Sequence, residues 1–188
     1  MRFDRRRVAL LGGAALFLFA AIATVLIAGL PNRAEFTGRI EDGVLIAPEV
    51  GATAPDIKGA TPYGDRLDLA AWRGQPVIVN FWATWCAPCR IEMPELETLY
   101  RAYGPERLRV IGVNTGEDIE DVLDWIENHQ LTFPMVLDPD GQIASSYMLR
   151  GQPTTFVIQP DGAISHVFYG PVTRHQLEDI LRPYLIEA

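Results

Sequence analysis

Apolar and polar positions alternate on three different length scales along the 188 residues. Residues Val8–Leu30 are an unbroken run without a charge. Pro31–Pro48 mixes charges with Gly38 and Gly43 and reads as a linker. From Gly51 onward the apolar residues come in short, regularly punctuated blocks, the pattern of a folded domain.

Each block predicts an element. Val77–Phe81 is apolar or β-branched at most positions, which predicts a strand buried on both faces. Cys86–Tyr103 has helical spacing, with Ile91, Leu96, Leu99 and Tyr100 facing inward and Pro94 expected to kink it. Leu108–Val113 predicts a second buried strand. Ile119–His129 predicts an amphipathic helix with Val122, Leu123 and Ile126 on one side. Met135–Leu137 predicts a short strand ended by Asp138-Pro139-Asp140-Gly141, and Gln142–Tyr147 a short helix. Thr155–Ile158 and Ile164–Phe168 flank Pro160-Asp161-Gly162, which predicts a hairpin. Arg66–Leu69 alternates weakly and predicts a further short strand. A last helix starts at Thr173, where Gln176 completes a capping box and Leu177, Ile180, Leu181 and Leu185 form the apolar stripe. Strands alternating with helices, then a hairpin and a closing helix, imply an α/β fold with a central mixed sheet flanked by helices.

The first run changes the picture. Twenty-three residues of helix span about 34 Å, enough for a bilayer core. Arg2, Arg5, Arg6 and Arg7 precede it, which puts the N-terminus in the cytoplasm. Signal peptides have shorter apolar regions and a small-residue cleavage site, and Ala28-Gly29-Leu30-Pro31 is not one. The expected organisation is a cytoplasmic segment 1–7, a transmembrane anchor 8–30, a linker 31–48 and a globular domain 49–188. That domain is expected on the extracytoplasmic side of the membrane. Leaving Asp4 and the four arginines on the inner side, the exported part keeps 12 basic and 23 acidic residues, a net charge of −11. Such a balance argues against nucleic acid as a partner.

The chain has two cysteines, Cys86 and Cys89, in Trp85-Cys86-Ala87-Pro88-Cys89, between a predicted strand and a predicted helix. Thiols three residues apart on a first helical turn can reach each other. A disulfide closing so short a loop adds little stability, so a static staple is a poor reason for it. Zinc would need two more ligands, and His129, His166 and His175 lack finger spacing. No cofactor or metal is called for. Cys86, near the helix N-cap, meets the positive end of the helix dipole and free N–H groups, which favour the attacking thiolate. Cys89, one turn deeper, is the resolving partner.

Taken together, these blocks resemble the thioredoxin fold. More closely, the domain resembles the membrane-anchored TlpA/ResA/DsbE (CcmG) group of thiol-disulfide oxidoreductases over about Gly51–Tyr184. The resemblance rests on Val79-Asn80-Phe81-Trp82-Ala83-Thr84-Trp85-Cys86-Ala87-Pro88-Cys89-Arg90, on Ile111-Gly112-Val113-Asn114, and on Phe133-Pro134 with Leu137-Asp138-Pro139-Asp140-Gly141. Gly151-Gln152-Pro153-Thr154-Thr155-Phe156 completes it. It implies a cis-proline at Pro153 beside the disulfide and a Gln152 backbone that pairs with an extended client segment. It implies that Trp85 shields the active site, while Trp82 fits the core equally well. It also implies that Glu92, on the helix face of Cys89, tunes the thiols, unless it is a solvated surface residue whose replacement costs about 0.5 kcal/mol. Asn80 stands where thioredoxins proper carry a buried acid.

The expected activity is reduction of client protein disulfides outside the cytoplasm, since Ala87-Pro88 offers no cationic residue to stabilise a strongly oxidising couple. The resemblance names apocytochrome c as a client and requires an inner-membrane thiol electron donor. A peroxiredoxin-type peroxidase and a tethered redox sensor or client-binding protein stay open as alternatives.

Overall fold

The structure, a computed structural model, describes residues 38–186. The anchor expected at 8–30 lies outside the described residues. Among those described, no helix is long and apolar enough to cross a membrane.

The strands are β1 (Arg39–Glu41), β2 (Val44–Ile46), β3 (Lys58–Ala60), β4 (Arg66–Asp68), β5 (Val77–Trp82), β6 (Arg109–Thr115), β7 (Met135–Asp138), β8 (Thr154–Ile158) and β9 (Ile164–Tyr169). The helices are α1 (Cys89–Tyr103), α2 (Ile119–Asn128), α3 (Gln142–Ser146) and α4 (Arg174–Ile186). β5 to β9 form one sheet in the order β7-β6-β5-β8-β9. β5, β6 and β7 run parallel, and β8 and β9 are antiparallel to their neighbours. This is the mixed sheet expected from the alternation of blocks.

The pleat sorts side chains between two cores. On β5, Ile78 and Trp82 join a core with Met93, Leu96 and Leu99 of α1, Val122, Trp125 and Ile126 of α2, and Leu177, Leu181 and Leu185 of α4. Val77, Val79 and Phe81 point the other way, toward Ile57, Leu67, Tyr147, Phe156 and Ile164. Asn80 therefore belongs to the helix-covered face. So do its register partners Gly112 on β6 and Thr155 on β8.

Several expectations change. Arg39–Glu41 and Val44–Ile46, read as linker, form an antiparallel hairpin. Its two-residue turn is Asp42-Gly43, both at positive φ, and Asp-Gly between short apolar-containing runs is a hairpin signal. β3 pairs with β4 in a second small hairpin. The first helix starts at Cys89, not Cys86, because the chain must turn through Ala83–Pro88 before its N–H groups can bond back. Ile91 is 71% exposed, off the stripe formed by Cys89, Met93, Leu96 and Leu99. Pro94 sits within α1 on its solvent side, and its carbonyl accepts from the Thr98 hydroxyl at 2.8 Å. The capping box at the last helix forms as expected: Thr173 N–H donates to Gln176 Oε1 at 2.9 Å, and Gln176 N–H returns to Thr173 Oγ1 at 3.4 Å.

Candidate active site

Strand β5 carries the chain to Trp82, and Ala83–Pro88 then turns it into α1. Cys86 N–H donates to Ala83 O at 3.2 Å, closing that turn. Cys86 and Cys89 are joined by a disulfide, with Cα atoms 5.3 Å apart. The Cys89 N–H points at Cys86 Sγ, 3.3 Å away. An amide aimed at this sulfur stabilises negative charge on it. Cys86 lies in the turn before the helix rather than on its first turn, and it keeps 4% of its surface while Cys89 keeps none.

Glu92 is not a solvated residue. It is 1% exposed, and three donors meet its carboxylate. Oε1 accepts from Thr155 Oγ1 at 2.8 Å and from Val172 N–H at 3.3 Å, and Oε2 accepts from Asn80 Nδ2 at 3.1 Å. Asn80 Nδ2 also donates to Thr155 Oγ1 at 2.8 Å. No cation stands among these partners. Burial therefore pushes the Glu92 carboxyl up to about 7, against the smaller downward pull of its hydrogen bonds from Thr155, Val172 and Asn80.

The Gln152–Pro153 bond is cis. Pro153 is buried, and its carbonyl accepts from Gly170 N–H at 2.9 Å. The Gln152 side chain turns inward, and Nε2 donates to Trp82 O at 3.3 Å and to Thr115 Oγ1. Trp85 is 69% exposed. Trp82 is fully buried and packs on Trp125 with ring centroids 4.8 Å apart.

Sequence reasoning missed Thr155, the Val172 N–H and Glu117. The alternation on β8 was a signal for Thr155, because it puts residue 155 on the face of Val157. Glu117 had no signal, since it follows Gly116 in a stretch that reads as an acidic loop.

A family model described as the AhpC/TSA family matches residues 50–167. Thiol-disulfide oxidoreductase ResA of Geobacillus kaustophilus (strain HTA426) is 34% identical over 163 residues, covering 87% of this chain and 92% of that protein. The chain belongs to the AhpC/TSA family, among its thiol-disulfide oxidoreductases of the ResA and DsbE type. ResA of Bacillus subtilis (strain 168) is 33% identical to this oxidoreductase, covering 70% of it and 73% of the relative. The crystal structure of a putative thiol:disulfide interchange protein DsbE from Chlorobium tepidum aligns with a TM-score of 0.68 at 27% identity. It covers 73% of this oxidoreductase and 98% of that structure. The family match at residues 50–167 includes Cys86 and Cys89, so the pair of this oxidoreductase sits in the setting of a dithiol/disulfide couple.

Proposed function

We propose that this oxidoreductase reduces disulfides of client proteins on the extracytoplasmic side of a bacterial membrane, to which Val8–Leu30 anchors it. The Cys86 thiolate attacks a client disulfide, forming a mixed disulfide and releasing one client thiolate. Cys89 then attacks Cys86 Sγ, releasing the second client thiolate and restoring the Cys86–Cys89 disulfide. Two electrons pass to the client, and a membrane thiol donor returns them.

The observation that carries this reading is the Cys89 N–H directed at Cys86 Sγ, which favours Cys86 over Cys89 as the thiolate. Glu92, buried one helical turn beyond Cys89, acts as the acid or base that tunes the pair. Gln152 and Pro153 form the groove that receives the client backbone, and Trp85 borders it. The couple is on the reducing side because only Ala87 and Pro88 separate the cysteines. The kinship with ResA- and DsbE-type proteins supports apocytochrome c as a client, whose haem-attaching cysteines have to be reduced.

The test is a Cys89→Ala form of the full-length chain, which halts at the mixed disulfide. Capture of an apocytochrome c through Cys86 is expected. Capture of other proteins alone would remove that client, and consumption of peroxide without any protein disulfide would favour a peroxidase instead.

A further inference from the structure

Thr84 lies two residues before Cys86, and each of its polar groups is held by another element. Its N–H donates to Glu117 Oε2 at 2.8 Å, and its hydroxyl donates to Oε1 of the same carboxylate. Its carbonyl accepts from Arg90, from Nε at 3.3 Å and from the terminal Nη2 at 3.2 Å. Glu117 is itself held, because Oε2 also accepts from Nδ2 of buried Asn114 at 2.6 Å. Gly116, at φ 73°, supplies the reversal that brings Glu117 back after β6, and its N–H is bonded to Asp138 O at 3.0 Å. The end of β6 and the first turn of α1 thus meet on one residue of the cysteine loop.

Ala83 and Cys86 pack into the helix-covered core, but the residues between and after them are held less by packing. Thr84 is half-buried, while Trp85 and Ala87 are exposed. Hydrogen bonds to a carboxylate are stronger than neutral ones, and a bidentate pair also fixes direction. In the oxidised protein the Cys86–Cys89 bond is a second tie on the loop. Reduction opens that bond, and the tie that remains on Thr84 comes from Glu117 and Arg90.

We propose that Glu117 is a positioning residue for thiol–disulfide exchange. By gripping Thr84 it keeps Cys86 Sγ against the Cys89 N–H at the start of α1 when the disulfide is open. Glu117 exchanges no electrons and touches no client. The inference rests on Cys86 being the attacking thiol.

The test uses the reduced full-length chain with glutathione disulfide as the probe, at a temperature where circular dichroism shows every variant folded. Glu117→Ala is expected to lower the second-order exchange rate about tenfold, the scale on which small misplacements of a reacting group act. It should also lower the ratio of Cys86 to Cys89 alkylation by iodoacetamide. Glu117→Gln is expected to stay within about twofold of wild type. Its amide oxygen can accept from Thr84 N–H and Asn114, and its NH₂ can donate to the Thr84 hydroxyl, so the grip survives without the charge.

Thr84→Val, which loses only the hydroxyl contact, should fall about threefold, and it carries the test should Glu117→Ala fail to fold. A wild-type rate in Glu117→Ala or in Thr84→Val would overturn the proposal, as would a Glu117→Gln rate as low as that of Glu117→Ala. Cys89-first alkylation of the wild-type chain would instead remove the nucleophile assignment, and the proposal with it.

Discussion

Asn80 Nδ2 donates to Glu92 Oε2 at 3.1 Å, and neither residue reaches solvent. The acid of this site thus rests on a neutral amide, a hydroxyl and a backbone N–H, with no cation among them. Each partner supports a carboxylate, yet none offsets the loss of hydration, which is why the Glu92 carboxyl titrates near neutrality.

Stability should depend on this proton. The Glu92 pKa is raised on folding, from 4.5 to about 7, so the folded state holds the proton more tightly than the unfolded chain. Its contribution is fully present below the unfolded pKa and is lost as pH rises through the folded one. Thermal unfolding between about pH 5.5 and 8 should show stability falling with pH, by about 2 kcal/mol. Glu97 works in the opposite sense at lower pH. Burial alone would raise its pKa, but hydrogen bonds from Thr132 and Arg101 outweigh that and hold it below the usual value. Glu92→Gln should flatten the pH 5.5–8 slope and be the more stable form at pH 8. Parallel curves for the two proteins would show that Glu92 does not titrate in that window.

Chemistry should follow the same group. A negative charge on Glu92 opposes thiolate formation nearby. Replacing it with Gln should move the pH dependence of Cys86 alkylation in the reduced protein to lower pH. Superimposable profiles would take Glu92 out of thiol tuning and leave it a structural acid.

Alkylation should also separate the two thiols. In the oxidised state Cys86 keeps 4% of its surface and Cys89 none. A limiting dose of iodoacetamide on the reduced chain should modify Cys86 first. Mass spectrometry showing Cys89 modified first would reverse the assigned roles.

Gly112→Ala should destabilise the fold without touching the cysteines. A Cβ at this position would stand 2.3 Å from Met135 Sδ, 3.0 Å from Trp82 Nε1 and 3.2 Å from Phe133. The methionine can yield, but buried Trp82 and Phe133 have little room, so a loss of about 1–3 kcal/mol is expected in chemical denaturation. An unchanged midpoint would mean that the layer between β6 and α2 repacks freely.

Tyr147→Phe offers a control on the opposite face of the sheet. The Tyr147 hydroxyl donates to Pro55 O at 2.8 Å from within a cluster of Phe81 and Phe156. Removing it should cost about 1–2 kcal/mol, because a buried carbonyl loses its partner, while exchange rates stay as in wild type. A change in exchange rate would show that the two faces are coupled.

What the sequence determined by itself is local. Periodicity placed β5, the cysteine turn and α1, because a buried strand and an amphipathic helix each repeat their apolar residues at a fixed step. The Thr173–Gln176 capping box and the Pro160-Asp161-Gly162 turn were legible for the same reason, since their partners lie within a few residues. The Asp42-Gly43 hairpin carried its turn signal but was missed, because its short, largely exposed strands have no apolar stripe and read as linker. Only the tertiary structure decided the character of the site. Glu92 receives hydrogen bonds from residues 12, 63 and 80 positions away, and Glu117 reaches Thr84 across 33. A carboxylate carries no mark in the sequence of whether water or other side chains will solvate it. The raised pKa of Glu92 and the hold of Glu117 on Thr84 each arise only when the fold brings distant donors to them.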